Sequence, residues 1–93
     1  MTTIEPSAVP SLAAGCRLSP NAGEDAMLLI PEGALRLVGP ALEIVLLCDG
    51  VRSLAQIVAD LQAKYATADP ARIEAEVRTF LGRLYEKRAL DLL

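Results

Sequence analysis

The sequence predicts a small α+β domain: a three-stranded antiparallel β-meander followed by three helices, in a winged-helix-like arrangement. Between residues 15 and 38 the apolar residues come in short runs of period two or none, bounded by Gly, Pro and Asn. From residue 41 onward the apolar spacing becomes helical. Two helix starts are marked as well, by Ser53 and by the pair Asp69-Pro70. At 93 residues the chain is one domain, near the lower range in which a hydrophobic core holds a fold unaided. Its residues are 53% hydrophobic but only 3% aromatic, so that core must be built of leucine.

Residues 1–14 set Pro6, Ser7, Pro10 and Ser11 among small residues, a composition that buries little, and they read as a flexible N-terminal arm. Within it the cluster Val9 to Leu12 is apolar enough to pin the arm to the domain. Residues 15–93 then form the domain itself. Gly15 to Ser19 is a short edge strand, Cys16 and Leu18 facing inward and Arg17 outward. Pro20-Asn21-Ala22-Gly23 is dense in turn formers, so Ala26 to Ile30 returns antiparallel. This second strand, AMLLI, is apolar throughout, as expected of burial on both faces or of one face lying under a partner. Pro31-Glu32-Gly33 turns the chain again. In the third strand, Ala34 to Val38, Leu35 and Leu37 share one face while Ala34, Arg36 and Val38 share the other.

Gly39-Pro40 marks the boundary to the helices. Ala41 to Cys48 carries one charge, Glu43, and its apolar residues surround the helix, which should therefore be central and largely buried. Asp49-Gly50 ends it. Ser53, with Gln56 three residues on, forms a capping box for an amphipathic helix with Leu54, Ile57, Val58, Leu61 and Tyr65 on one stripe. Asp69-Pro70 opens a third helix that runs to about Arg88, with Ile73, Val77, Phe80, Leu81 and Leu84 inward. The tail Ala89 to Leu93 is apolar enough to dock.

Composition excludes several functions. The net charge is −3, with Glu5, Glu24, Asp25, Glu32, Glu43 and Asp49 in the first fifty residues against Arg17 and Arg36, so a general affinity for nucleic acid is not expected. No apolar run is long enough to span a bilayer, and the N-terminus has neither a basic nor a continuous apolar segment, which predicts a cytoplasmic protein with no membrane association. There is no His, hence no His-containing triad and no usual zinc pattern. Cys16 and Cys48 read as reduced apolar fillers, a disulfide between them being disfavoured in a cytosolic chain. The close carboxylates Glu24-Asp25 and Glu74/Glu76 lie in stretches expected to face solvent. The chain is therefore read as no enzyme and as needing no cofactor.

Two interaction readings remain. Arg72, Arg78, Arg83, Lys87 and Arg88 on the third helix invite comparison with a DNA-recognition helix, the reading of a winged-helix DNA-binding regulator. Glu74, Glu76 and Glu86 interrupt them at spacings suited to intrahelical pairing. Tyr65 and Tyr85 read as amphipathic residues at the edge of the core. Arg36, between Ala34 and Val38, is either an edge charge that discourages aggregation or the mark of a strand edge kept for a peptide, which would add by β-augmentation.

The residues also carry a resemblance. Leu12-Ala13, Gly15 and Arg17-Leu18; Leu28-Leu29-Ile30-Pro31-Glu32-Gly33 with Leu37; Ala41 and Ile44 before Asp49-Gly50; Ile57-Val58 with Leu61 and Tyr65; and Glu76-Val77, Phe80-Leu81 and Leu84 together resemble the PqqD family across about residues 9–92. The resemblance implies a RiPP recognition element-like domain acting as a non-catalytic peptide chaperone in pyrroloquinoline quinone biosynthesis. Such a chaperone binds the precursor peptide PqqA and presents it to the radical-SAM enzyme PqqE, holding no cofactor of its own. It further implies that the peptide lies along Ala34, Leu35, Arg36, Leu37 and Val38, in a groove whose helical wall draws on Glu76, Val77, Thr79, Phe80 and Arg83. Broader relatives of the family serve other modified-peptide pathways, so a different precursor is the alternative partner. Gly39, where the family commonly has a polar residue, and Ala89, where a Gly often closes the third helix, depart from its pattern. A monomer in dilute solution is favoured over a domain-swapped dimer.

Overall fold

Leu28, fully buried in the middle of a three-stranded sheet, marks the centre of the domain in this computed structural model, which describes residues 4–19, 26–31, 33–37 and 40–93. The sheet orders β2 (Arg17–Leu18), β3 (Ala26–Ile30) and β4 (Gly33–Leu37), all antiparallel. Leu18 and Leu35 flank Leu28 on the same face, because Leu18 pairs with Leu28 and Leu28 with Leu35. Opposite residues of a ladder share a face. Ile30 pairs with Gly33 across a two-residue link, and Gly33 has φ 151°, a backbone that a side chain would strain. The expected meander is therefore present. The turn at 20–23 and the third-strand residue Val38 lie outside the described residues, as does Gly39.

Three helices follow: α1 (Ala41–Leu47), α2 (Leu54–Lys64) and α3 (Pro70–Glu86). Ile44 and Val45 of α1, Leu54, Ile57, Val58 and Leu61 of α2, and Val77, Leu81 and Leu84 of α3 enter one core cluster with Leu28 and Leu37. α1 departs from expectation. It is seven residues long, and Leu46 is 58% exposed, so its apolar circumference is covered on one side only. The Cys48 thiol, just past α1, is buried, donates to the Ile44 carbonyl at 3.2 Å and is pushed up to about 12 by burial and by neighbouring Asp49, which keeps it inert.

The start of α2 explains why the arm expected over 1–14 is not free of the domain from residue 4 onward. Ser53 and Gln56 form the capping box reciprocally, at 3.2 and 2.8 Å. The two remaining first-turn donors are satisfied from the N-terminal segment: Leu54 N–H donates to the Ala8 carbonyl at 2.8 Å and Ala55 N–H to the Pro6 carbonyl at 3.0 Å. Helix starts leave such donors without internal partners, and the segment supplies what the local sequence cannot. Ile4 is 2% exposed, a burial that contributes on the order of 1.5–3 kcal/mol. Arg78 Nη1 donates to the Ile4 carbonyl at 3.0 Å, fastening the segment to α3. A boundary at residue 15 therefore does not separate arm from domain; residues 1–3 lie outside the described part.

The same segment continues as β1 (Pro10–Leu12), which pairs antiparallel with β5 (Leu90–Leu92) in a second, two-stranded sheet. The tail thus docks as its composition suggested. Gly50 N–H donates to the Pro10 carbonyl at 3.0 Å with φ 77°, and a Cβ there would stand 3.3 Å from Ser11 Oγ, so a glycine is required after Asp49.

Asp69 caps α3, accepting from Ala71 N–H at 3.0 Å, with Pro70 in the first turn. The far end of α3 closes by two bonds, Ala89 N–H to the Leu84 carbonyl at 2.8 Å and Arg88 N–H to the Tyr85 carbonyl at 3.0 Å. This is the 6→1 and 5→2 pattern in which one residue is left-handed. That residue is Arg88, φ 60°, and not Ala89, which is completely buried. Arg88→Gly should therefore stabilise the protein by about 0.5–1 kcal/mol, the left-handed strain relieved less the added freedom of the unfolded glycine. Ala89→Gly should destabilise it, and urea unfolding of the two variants measures both.

Candidate functional site

The site implied by the resemblance has a strand half and a helix half. In β4, Ala34 and Arg36 are exposed, Leu35 is half-buried and Leu37 is 5% exposed, so the strand presents one wet face and one face turned to the core. Among the described residues β4 has a single strand neighbour, β3, and its other edge is the margin of the sheet. Val38 lies outside the described residues.

On α3, Glu76, Thr79, Phe80 and Arg83 come together in an open concavity of about 360 Å³, completed by Arg72 and Ala75. Positions 72, 76, 79, 80 and 83 fall on one helical face, which is why a sequence pattern brings them to one place. Arg72 Nε meets Glu76 Oε1 at 3.2 Å, the intrahelical pairing expected from the spacing. Among the described residues Arg83 has no such carboxylate partner, which leaves a cation beside the half-buried Phe80 ring.

Val77 does not join that concavity. It is 1% exposed and turns inward to a second, predominantly apolar cavity of about 360 Å³ between the helices, lined also by Pro40, Ile44, Leu61, Tyr65, Ala68, Ile73 and Glu76. Glu76 borders both hollows. Pro40, two residues beyond Val38, brings the chain leaving the sheet to the wall of α3. The sequence did not single out this cavity, since its lining comes from three helices and no local pattern encodes how they splay. Tyr65, expected at the core edge, was the one available signal.

Polar groups near this cavity tie α1 to α2. Lys64 Nζ lies 2.7 Å from Glu43 Oε2, the Tyr65 hydroxyl donates to Glu43 Oε1, and the Lys64 ammonium stands 5.9 Å from the Tyr65 ring centroid. Hydrogen bonding from Lys64, then from Tyr65, holds the Glu43 carboxyl below its ordinary 4.5. The same carboxylate raises Lys64 and Tyr65, each through a hydrogen bond to Glu43. Among the described residues no cluster of Cys, Asp and Glu is arranged to hold a metal ion, and no helix is long and apolar enough to cross a membrane.

Comparison with known proteins adds the decisive observation. Residues 25–90 match the family described as coenzyme PQQ synthesis protein D (PqqD), which takes in both halves of the site. The chain belongs to the PqqD family. Among its relatives, a PqqA binding protein of Xanthomonas euvesicatoria pv. vesicatoria (strain 85-10) is 42% identical over 93 residues, covering 99% of this chain and 100% of the relative. A PqqA binding protein of Xanthomonas axonopodis pv. citri (strain 306) is 41% identical over the same span, with the same coverage. The fold also matches the solution NMR structure of the PqqD truncation of Methylobacterium extorquens PqqCD, described as a functional and stand-alone RiPP recognition element. That match has a TM-score of 0.79 and 36% identity, covering 97% of this chain and 96% of the other.

The Glu43 cluster makes a pH prediction. Because the folded-state carboxyl titrates below the unfolded one, its contribution to stability is complete above 4.5 and is lost as the pH falls through the lowered folded value. Urea unfolding from pH 6 downward should show the wild-type protein losing stability more steeply than Glu43→Gln, which has no carboxyl to protonate at that position.

Proposed function

We propose that the chain is a non-catalytic peptide chaperone of pyrroloquinoline quinone biosynthesis, which binds the precursor peptide PqqA as an added strand along β4 and presents it to the radical-SAM enzyme PqqE. The observation that carries this reading is the margin of β4, an edge strand with exposed Ala34 and Arg36 and half-buried Leu35, in a chain that matches PqqA binding proteins over almost its whole length. An extended peptide added to such an edge gains main-chain hydrogen bonds for affinity and side-chain pockets for specificity. The α3 concavity supplies both kinds of side-chain contact, with Phe80 offering apolar surface and Arg83 an anion partner. On this reading the protein acts in the cytoplasm, as a monomer, without a cofactor of its own.

A DNA-binding role loses two of the cations on α3 that suggested it. Arg72 and Arg78 are each answered by a glutamate four residues away, and Arg78 is further held by the Ile4 carbonyl. Phosphate binding depends on cations that can exchange their counterions for phosphate.

Titration of isotopically labelled protein with PqqA peptide should shift resonances of β4 together with those of Glu76, Thr79, Phe80 and Arg83. An unchanged spectrum at saturating peptide would dismiss the reading. Arg36→Pro, which takes a main-chain donor from β4, should weaken binding roughly tenfold beyond the effect of Arg36→Ala, as loss of one hydrogen bond implies. Equal losses in the two variants would assign the binding to the arginine side chain.

A further inference from the structure

The second sheet turns one face outward, and its register fixes which side chains stand there. β1 pairs with β5 as Pro10↔Leu92, Ser11↔Asp91 and Leu12↔Leu90, and an isolated bridge sets Ser11 opposite Asp49 on the other side of β1. Residues directly opposed in a ladder share a face. Asp49, Ser11 and Asp91 therefore form one row across three segments. Val9 N–H donates to the Leu93 carbonyl at 3.4 Å and Leu93 N–H to the Val9 carbonyl at 2.9 Å, so alternation places Val9 and Leu93 on the same face as that row. Pro10, Leu12, Leu90 and Leu92 take the other side, where Pro10 and Leu90 are buried and Leu12 and Leu92 pack against the core.

The outward face carries apolar surface that the core does not use. Leu93 is 72% exposed and Val51 is 77% exposed. The bare backbone of Gly50 lies between them: Leu93 Cδ1 stands 3.5 Å from where a Cβ of Gly50 would be, and Val51 follows Gly50 directly. Val9 beside Leu93 is half-buried. Exposed apolar side chains scattered singly are ordinary, whereas side chains gathered at one place and rimmed by polar groups mark a contact surface.

The rim is acidic. Arg52 meets both Asp49 and Asp60, so one cation serves two carboxylates. Asp91 has no cationic partner among the described residues; Arg88 lines the same hollow and forms no ion pair with it. This charge selects among occupants. A second copy of the chain, docked about a two-fold axis, would set the patch against itself and bring the aspartates of both copies together, which like charge opposes. An added strand is also excluded, because β1 has a neighbour on each side and Leu90 of β5 is only 2% exposed. The surface fits a different folded protein that brings apolar side chains to Val51 and Leu93 and Lys or Arg to Asp49 and Asp91.

We infer, on the presentation reading above, that this outward face of the β1–β5 sheet is where the enzyme receiving the peptide docks, through a basic and apolar surface of its own. The face belongs to a different sheet from β4, and none of its residues lines the α3 concavity. Enzyme and peptide are thus held at the same time, as handing one to the other requires.

Titration of the isotopically labelled full chain, saturated with PqqA peptide, with PqqE tests the docking. Resonances of Val9, Ser11, Asp49, Val51, Asp91 and Leu93 should shift or broaden together. Asp91→Lys and Leu93→Ser, both at exposed positions, should each weaken PqqE binding by about tenfold or more while changing PqqA affinity by less than about twofold. Spectra unchanged away from the face verify that the variants are folded. Perturbations by bound PqqE confined to other surfaces, or wild-type PqqE affinity in both variants, would overturn the inference and leave presentation standing. No PqqE binding at all would overturn presentation with it, while peptide binding at β4 would remain.

Discussion

The leucine row across the inner face of the meander, Leu18–Leu28–Leu35, imposes the constraint from which the rest of the fold can be understood. In a sheet of three strands only the middle one has a neighbour on each side, and Leu28 there is sealed completely while the leucines at either end stay half-covered. Helices α1, α2 and α3 join the cluster that buries this face, but none of them completes the sheet at β4. The cost of leaving that margin is modest apolar exposure at Leu35. On the proposed reading, a peptide strand removes it.

The N-terminal segment and β5 stabilise this arrangement through contacts of their own. Residues 4–8 supply the carbonyls that the first turn of α2 needs, β1 pairs with β5, and Arg78 locks Ile4 to α3. Each contact joins segments far apart in sequence, so the helical layer is held by its own termini and does not depend on the open margin of the sheet. On the proposed reading, the domain accepts a peptide at one edge without unfastening its core.

Much of this was legible in the sequence because the signals were local. The alternation in Ala34–Leu37, the capping box at Ser53 and Gln56, and Asp69-Pro70 before α3 each encode a structure within four residues of themselves. What escaped was long-range. Pro10–Leu12 and Leu90–Leu92 are three residues each, too short for a period, and acquire strand character only from one another across nearly the whole chain. The exposure of Leu46 was hidden for a related reason, since an all-apolar helix does not record which side will lack a neighbour. At the site, Glu76, Thr79, Phe80 and Arg83 on α3 were singled out by the family resemblance, and helical spacing explains why they share one face. The inward turn of Val77 was legible from its place on the apolar stripe, whereas the second cavity it faces was not, because that cavity is made by three helices together.

The electrostatics of α3 belong to the same account. Arginines 72 and 78, which in isolation suggest nucleic acid, are engaged by Glu76 and Glu74, and Arg78 has a structural task in holding the N-terminal segment. Among the described residues Arg83 has no carboxylate partner, and it lines the α3 concavity with Phe80; on the proposed reading a peptide side chain meets both there. The central claim is that the sheet is completed at β4 by another chain. Intermolecular nuclear Overhauser effects in the complex with labelled PqqA peptide test it most directly: the account predicts backbone contacts from peptide protons to Ala34 and Arg36, and contacts confined to the β1–β5 side of the molecule would contradict it.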